Sequence, residues 1–541
     1  MPFITVDDVR YEVEEGRTLL QALDDLGILM NGVDVPHYCW HPKLSIDGSC
    51  RLCQVEIEGM PKLQIACNTV VQDEMVVRTT TERVRRAREG VMELLLVNHP
   101  LDCPICDQAG ECKLQDYAYE YGVLQSRTVE PRRALKKRVD LGPTIVFDQE
   151  RCILCRRCVR FCREIPGTGE LAVFDRGDRS TIETFPGSEL DNDYSMNVAD
   201  ICPVGALTTK DFRFKIRVWF LEDVEGVCTA CANGCNIHLG VSKGEVYRYV
   251  PRRNDAVNDT WICDPGRLSY REIGSEARIR SAAVRSSAGE LTPVPAAEAI
   301  HEAARRLEAV VSSRGPGVVA GVASGHATNE DLFAFSRFLD AAGVEARALA
   351  VVRGEADALL QKVEKAANGA GARALGFAAP DSLVERIRGG GIEALVVFGH
   401  DLLGEDGLES VEALARVETL VLIDTLESPL QDVASVVLPA RHAAEKHGTL
   451  TNHAGRVQRV RPAVEPAFEA LAEGEAVWRI GGAMGLAGFD APWDVREVSK
   501  ALCGEVAAFA GLDLESLGPG GRPLAGADGR ADVASDPGSG S

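Results

Sequence analysis

The chain has 541 residues, 45% of them apolar and 26% charged, with a formal net charge of −22. That length allows several domains, each with its own core, and the acidic balance excludes nucleic acid as a partner because its phosphates would be repelled. No run reaches the roughly 18–20 consecutive apolar residues of a membrane span. The opening MPFITVDDVRYEVEEG lacks the basic and apolar regions of a signal peptide, so a soluble, cytoplasmic protein is expected, meeting a membrane only through partners.

Of the 17 cysteines, sixteen lie between Cys39 and Cys263 and only Cys503 lies beyond. In a chain expected in the cytosol, clustered cysteines read as metal ligands rather than disulfides. The sequence thus divides into a metal-bearing half and a metal-free half.

Residues 1–80 show short strand-like runs (FITVDDVRYEV, CQVEIEG, MVVRT) around the amphipathic segment Thr18–Leu29, a small α+β domain with cysteines in its loops. Cys39, Cys50, Cys53 and Cys67 follow the spacing C-x10-C-x2-C-x13-C. Four thiolates suit a 2Fe–2S cluster, two per iron, and Gly48 relieves crowding in the wrapping loop. A structural zinc is the competing reading, although zinc sites usually show two close pairs. His37 and His41 flank Cys39; with four cysteines present, they are expected to be surface or supporting groups.

Residues 81–145 open with helical periodicity over 82–97 and lead into VNHPLDCPICDQAGEC. A 4Fe–4S cluster needs four ligands and this stretch offers Cys103, Cys106 and Cys112, so His99 is expected to supply the fourth as a neutral imidazole. A zinc knuckle built from the same four residues is the alternative.

Residues 146–222 carry Cys152, Cys155 and Cys158 in RCILCRRC, with Cys202-Pro203 far downstream. A two-cluster ferredoxin would have a second cysteine run ending at Cys202, but the positions for its other members hold Val198, Ser195 and Asn192. One 4Fe–4S site therefore remains, made of Cys152, Cys155, Cys158 and Cys202, and Cys162 is left as a non-ligand. The basic residues nearby (Arg132–Arg138, and Arg151, Arg156, Arg157, Arg160 and Arg163) read as a solvated or docking face.

Residues 223–279 begin with strands and hold Cys228, Cys231, Cys235 and Cys263, spaced C-x2-C-x3-C-x27-C, a further 4Fe–4S set with zinc as the weaker alternative. From 280 to 512, Ala/Gly-rich helices alternate with apolar strands (PGVVAGVAS, ALVVFGHD, TLVLIDT, SVVLPA), which predicts an open parallel α/β sheet. Residues 513–541 are poor in apolar side chains and read as a disordered tail. Setting Cys162 aside and adding His99 gives sixteen ligands, four for each of four clusters, which argues against scattered zinc sites.

With these sets in this order, the chain resembles the G subunit of bacterial NADH–quinone oxidoreductase, or complex I. The resemblance is dense over residues 1–270 and rests on HPLDCPICDQAGEC, RCILCRRCVRFC, DICPVGAL and WICDPGR. It implies a multidomain α+β and α/β chain: a β-grasp 2Fe–2S ferredoxin, 4Fe–4S ferredoxin-like modules and a C-terminal open α/β domain like the molybdopterin oxidoreductases. The last is matched by LVVFGHD, VVLPA and EKHGTLTNHAGRVQ. It also implies one 2Fe–2S and three 4Fe–4S clusters, with the Cys228–Cys263 cluster off the main electron path. Two departures point away from molybdopterin. No cysteine lies between Cys263 and Cys503 to ligate the metal, and Asp264-Pro265-Gly266 stands where active relatives tend to carry a lysine. The implied role is an electron relay with no catalytic residue of its own, between a flavoprotein subunit that binds NADH and FMN and further iron–sulfur subunits. It would lie peripherally on the cytoplasmic face of the inner membrane. The alternatives are a subunit of an NAD-linked formate dehydrogenase or hydrogenase, and a zinc-stabilised scaffold.

Overall fold

The computed structural model describes residues 1–123, 125–404 and 407–526. The chain divides into two units, Met1–Leu221 and Glu222–Ser541.

The first unit opens with a hairpin of β1 (Phe3–Val6) and β2 (Val9–Glu12), turned by Asp7 and Asp8, both at positive φ. Two left-handed residues match the twist of the strands they join, and Asp tolerates that conformation better than most side chains. Helix α1 (Leu19–Asp25) starts at a capping box between Thr18 and Gln21. It is shorter than the expected Thr18–Leu29 because the chain reverses at Gly27, where φ is +69°. Strands β3 (Gln54–Ile57), β4 (Gln64–Ile65) and β5 (Met75–Arg78) complete a sheet of order β2-β1-β5-β3-β4, with β1 and β5 parallel. Ile4, Leu20, Leu23, Val55 and Val77 fill the space between sheet and helix, the β-grasp arrangement expected for residues 1–80.

Helix α2 (Glu82–Leu96) falls where the 82–97 periodicity placed it, capped by the Thr81 hydroxyl, and packs on α3 (Lys113–Tyr121). The ferredoxin-like part follows as β6 (Val139–Asp140), β7 (Ile145–Phe147), α4 (Arg157–Glu164), β8 (Leu171–Phe174), β9 (Thr181–Thr184), α5 (Asn197–Asp200) and β10 (Leu207–Thr209). Strands β10, β7 and β6 form one small sheet and β8 and β9 another.

The second unit begins with the antiparallel sheet β11 (Glu222–Val227), β12 (Asn236–Ser242) and β13 (Glu245–Pro251), followed by the short α6 (Asp264–Leu268). The α/β part comprises β14 (Ala283–Arg285), β15 (Leu291–Pro293), α7 (Ala296–Arg314), β16 (Val319–Ser324), α8 (Asn329–Ala341) and β17 (Ala346–Ala350). It continues through α9 (Gly369–Ala374), α10 (Asp381–Arg388), β18 (Ala394–Phe398), β19 (Thr419–Asp424) and β20 (Val436–Pro439). The sheet order is β15-β14-β20-β19-β18-β16-β17. Strands β16 to β20 are parallel, while β14 and β15 add an antiparallel edge against β20. The expected parallel sheet is therefore mixed at one side, where the hairpin covers an edge that would otherwise present unpaired backbone groups.

Every residue of β16, β18, β19 and β20 is buried, as in sheets covered on both faces. Alternation sorts the side chains: Val396, Phe398, Val421 and Ile423 enter one core and Leu395, Val397, Leu420 and Leu422 the other. The chain continues as β21 (Gly448–Thr451), β22 (Arg456–Val460), α11 (Glu473–Ala483) and α12 (Val495–Glu505). The described part of the expected tail, 513–526, takes part in this fold. Leu514 and Leu517 are buried, and β23 (Arg522–Pro523) pairs with β22. The rest of the expected tail lies outside the described residues. No helix among the described residues is long and apolar enough to cross a membrane.

Candidate metal centres

In the first set, Cys39, Cys53 and Cys67 are buried and Cys50 is half-buried, all on the loops between α1 and β5. Cys39 reaches Cys50 and Cys67 at hydrogen-bonding range, and Cys67 also reaches Cys53, so the four sulfurs form one connected group. The Cys50 and Ser49 backbone N–H groups point at the Cys39 sulfur. His37 is turned away to the Val35 carbonyl at 3.0 Å, and His41 Nδ1 accepts from the Lys43 N–H at 3.3 Å. Both flanking histidines thus have partners outside the cysteine group.

The second set sits between α2 and α3. Cys106 and Cys112 are buried, Cys103 is exposed and His99 is half-buried. Burial lowers the His99 pKa to about 4, helped by Arg151, so its imidazole is neutral at physiological pH and has a lone pair to offer a metal.

The third set lines one cavity: Cys152, Cys155, Cys158 and Cys202, walled by Ile153, Ile182 and Val204. The Leu154 N–H donates to the Cys152 sulfur at 3.4 Å. Cys162 is not part of this lining. Its thiol is buried on α4 against Glu170, and burial followed by that carboxylate pushes it up. Asn192 Nδ2 donates to the same carboxylate at 2.7 Å, while Ser195 and Val198 are fully buried. The positions where a second cysteine run was expected are thus joined through Glu170 or packed into the core.

The fourth set, in the second unit, is fully buried: Cys228, Cys231, Cys235 and Cys263. A Cβ placed on Gly266 would lie 3.1 Å from both the Cys228 and Cys263 sulfurs, so the glycine leaves room where two ligands converge. Gly266 N–H donates to Cys263 at 3.4 Å and Asn233 Nδ2 to Cys235 at 3.1 Å. Asn452 and Gln458, from the EKHGTLTNHAGRVQ segment, hold this loop through the Asn233 and Gly234 carbonyls at 3.1 and 2.9 Å.

These surroundings fit iron–sulfur clusters. All seventeen cysteines are free thiols, and N–H donors aimed at sulfur stabilise thiolates and tune cluster potentials. Burial pushes Cys112 up to about 11 and Cys202 and Cys263 to about 12, so these sulfurs ionise only with cationic metal among them.

Three of the sets are contiguous within the first unit. A Cβ on Gly205 would lie 2.3 Å from the Cys106 sulfur, and Cys112 Sγ lies 4.0 Å from the Pro203 carbonyl. The Cys202–Gly205 turn of the third set therefore abuts the second. On its other side, Arg160 donates to the carbonyls of Cys39 and Cys155, and Arg157 donates to those of Trp40 and Ile201. The expected solvated basic face is corrected here. Arg163 is exposed and Arg156 pairs with Asp47 at 2.7 Å, but Arg151 and Arg160 are buried and Arg157 is half-buried. Helical spacing brings Arg157 and Arg160 to the face of α4 that meets the Cys39–Asp47 loop.

Four stretches of the chain match known iron–sulfur domains. Residues 3–82 match a 2Fe-2S iron-sulfur cluster binding domain, and 88–127 the NADH-ubiquinone oxidoreductase-G iron-sulfur binding region. Residues 142–208 match the NADH-quinone oxidoreductase subunit 3 ferredoxin-like domain, and 221–271 an NADH-ubiquinone oxidoreductase NDSU1/NuoG-like 4Fe-4S domain. Each contains one of the four cysteine sets. The NADH-quinone oxidoreductase G subunit from Streptomyces coelicolor is 38% identical over 367 residues, 66% of this chain and 42% of that protein. The G subunit from Rickettsia felis is 38% identical over 340 residues, 63% of this chain and 49% of that protein. Over the residues matched, the chain is similar to the G subunits of NADH-quinone oxidoreductases. It carries 2Fe–2S and 4Fe–4S binding domains, and it spans less than half the length of these two relatives. The 75 kDa subunit of NADH-ubiquinone oxidoreductase from Reclinomonas americana is 43% identical over 267 residues, 49% of this chain and 38% of that protein. A solved NAD+-reducing [NiFe]-hydrogenase chain overlaps 40% of this chain and 91% of its own at 29% identity, with a TM-score of only 0.36.

Residues 349–473 match the molybdopterin oxidoreductase family. There a cavity of about 610 Å³ opens at the carboxyl ends of β16, β18 and β19, the switch point where such sheets bind ligands. Its walls include Pro265, His400, Arg441 and the acidic Glu272, Asp401, Asp424 and Glu473. Asp424, 3.2 Å away, raises His400 to about 9, so that imidazole is cationic at neutral pH. Pro265 and Lys365 both stand in this wall.

Proposed function

We propose that this chain relays single electrons as an iron–sulfur subunit of NADH:quinone oxidoreductase. It would receive them from a flavoprotein subunit that binds NADH and FMN, and pass them towards quinone through other iron–sulfur subunits of the peripheral arm. The contiguity of the first three cysteine sets carries this reading. Cys39–Cys67, Cys152–Cys202 and His99–Cys112 follow one another across shared backbone, with the arginine bridge at one junction and the Pro203–Gly205 turn at the other.

The ligands are one 2Fe–2S set, Cys39, Cys50, Cys53 and Cys67, and three 4Fe–4S sets. The latter are His99 with Cys103, Cys106 and Cys112; Cys152, Cys155, Cys158 and Cys202; and Cys228, Cys231, Cys235 and Cys263. Bound there, the clusters supply one-electron chemistry. The chain contributes thiolates, a neutral imidazole, N–H donors and an interior from which water is largely excluded. The fourth set, in the other unit, lies off the path, and no molybdopterin is bound. In the cell the protein sits peripherally on the cytoplasmic face of the inner membrane, held by its partners.

NADH added anaerobically to the purified chain should leave its visible cluster absorbance intact. Adding the flavoprotein subunit should then bleach it, because hydride chemistry resides in that partner. Bleaching by NADH alone, or none with the flavoprotein present, contradicts the relay.

A further inference from the structure

Arg160 is buried and Arg157 half-buried in the first unit, and among the described residues neither has a carboxylate partner of its own. Every hydrogen bond they donate ends on a backbone carbonyl: Arg157 on Trp40 and Ile201, Arg160 on Cys39, Ser45 and Cys155. The Nε of each is buried with no acceptor at all. Arg151, by contrast, lies between Asp102 and Asp148 at 3.1 and 3.3 Å. The carboxylate acting on Arg160 is Glu164, already engaged by Ser45 and Arg163. A buried guanidinium is costly unless an anion faces it. Arg157 lines the same cavity as Cys152, Cys155, Cys158 and Cys202, and it also donates to the carbonyl of Trp40, next to Cys39.

We propose that Arg157, supported by Arg160, is a positive charge shared by the Cys39–Cys67 and Cys152–Cys202 clusters, raising the potentials of both and fixing their loops at one spacing. This rests on the cluster-relay reading above. A cluster with thiolate ligands is an anion that gains a further negative charge on reduction, so a fixed cation beside it favours the reduced form. One guanidinium facing two sites acts on both potentials together, which helps keep adjacent steps of a relay close in energy. The free Nε–H groups are donors available to sulfur, and the carbonyl contacts hold the Cys39 loop against α4. These arginines are positioning residues, and their effect is read in potentials rather than in turnover alone.

The test is EPR-monitored redox titration of the full chain, purified anaerobically with its clusters, as wild type, Arg157→Gln, Arg157→Lys and Arg163→Gln. Arg157→Gln should lower the reduced-to-oxidised ratio of the 2Fe–2S and the Cys152–Cys202 clusters at least about tenfold at fixed potential, about 59 mV for one electron. The Cys228–Cys263 cluster in the other unit should stay unshifted, as should all clusters in exposed Arg163→Gln. Unchanged midpoints in an iron-loaded Arg157→Gln overturn the proposal. Should that variant fail to load iron, Arg157→Lys decides: wild-type midpoints support a charge role, and midpoints lowered as far as tenfold overturn it. A wild-type chain without cluster signals would instead overturn the relay reading itself, so the two failures are distinguishable.

Discussion

Cys158→Ala is expected to remove one 4Fe–4S cluster from the anaerobically purified chain, and Cys162→Ala to leave every cluster in place. The two thiols are four residues apart on α4, both buried, and sequence alone makes either a plausible ligand. Their surroundings separate them. Cys158 lines the cavity with Cys152, Cys155 and Cys202, whereas Cys162 is buried against Glu170, which also accepts from Asn192. Losing one of four thiolates leaves an open iron site that a buried alanine cannot fill, so the whole cluster should be lost. Truncating Cys162 removes one sulfur from a packed interior and should cost about 1–2 kcal/mol of stability at most. Iron analysis with EPR separates the outcomes: loss of a cluster in Cys162→Ala, or its retention in Cys158→Ala, contradicts the ligand set.

Lys446→Met is expected to lower the stability of the second unit by about 3–5 kcal/mol above pH 7. Lys446 is buried, donating to Asp331 at 2.9 Å and to Glu473. Burial opposes its charge, but the two carboxylates hold its pKa above the ordinary lysine value. Without the ammonium, α8 and α11 would bury two carboxylates side by side. Burial already raises Glu473 to about 7 from an ordinary 4.5, so between those values the folded state binds the proton that the unfolded state releases. This group's contribution to stability therefore falls as pH rises from about 4.5 to 7. In the variant, protonation is the remaining way to neutralise the pair, so the loss should be largest at pH 8 and smaller at pH 6. Hydrogen exchange of residues 329–341 and 473–483 should speed up by roughly a few hundred- to a few thousand-fold at pH 8. An equal loss at both pH values would rule out the charge explanation.

Much of the candidate site is legible in the sequence alone, because candidate metal ligands are written as residue types at short spacings. The C-x2-C pairs and the missing thiolate at His99 need no tertiary information. The apolar runs at 319–324, 394–398, 419–424 and 436–439 likewise declare buried parallel strands. The arginines are not legible in this way. A basic run reads as a surface, and only the packing of α4 on the Cys39–Asp47 loop shows that Arg160 is 4% exposed. The same holds for Leu514 and Leu517, whose glycine- and proline-rich neighbours disguise a segment that docks by β pairing. Contiguity of the three metal sets is also a tertiary fact, since the Cys202–Gly205 turn meets Cys106 across about a hundred residues of chain.

Iron, acid-labile sulfide, zinc and molybdenum content of the anaerobically purified chain, measured with EPR on the same sample, tests the four-cluster account most directly. The account predicts about fourteen irons per chain with matching sulfide, signals from one 2Fe–2S and three 4Fe–4S clusters, and neither zinc nor molybdenum in stoichiometric amount. Stoichiometric zinc, or iron sufficient for only two clusters, would contradict it.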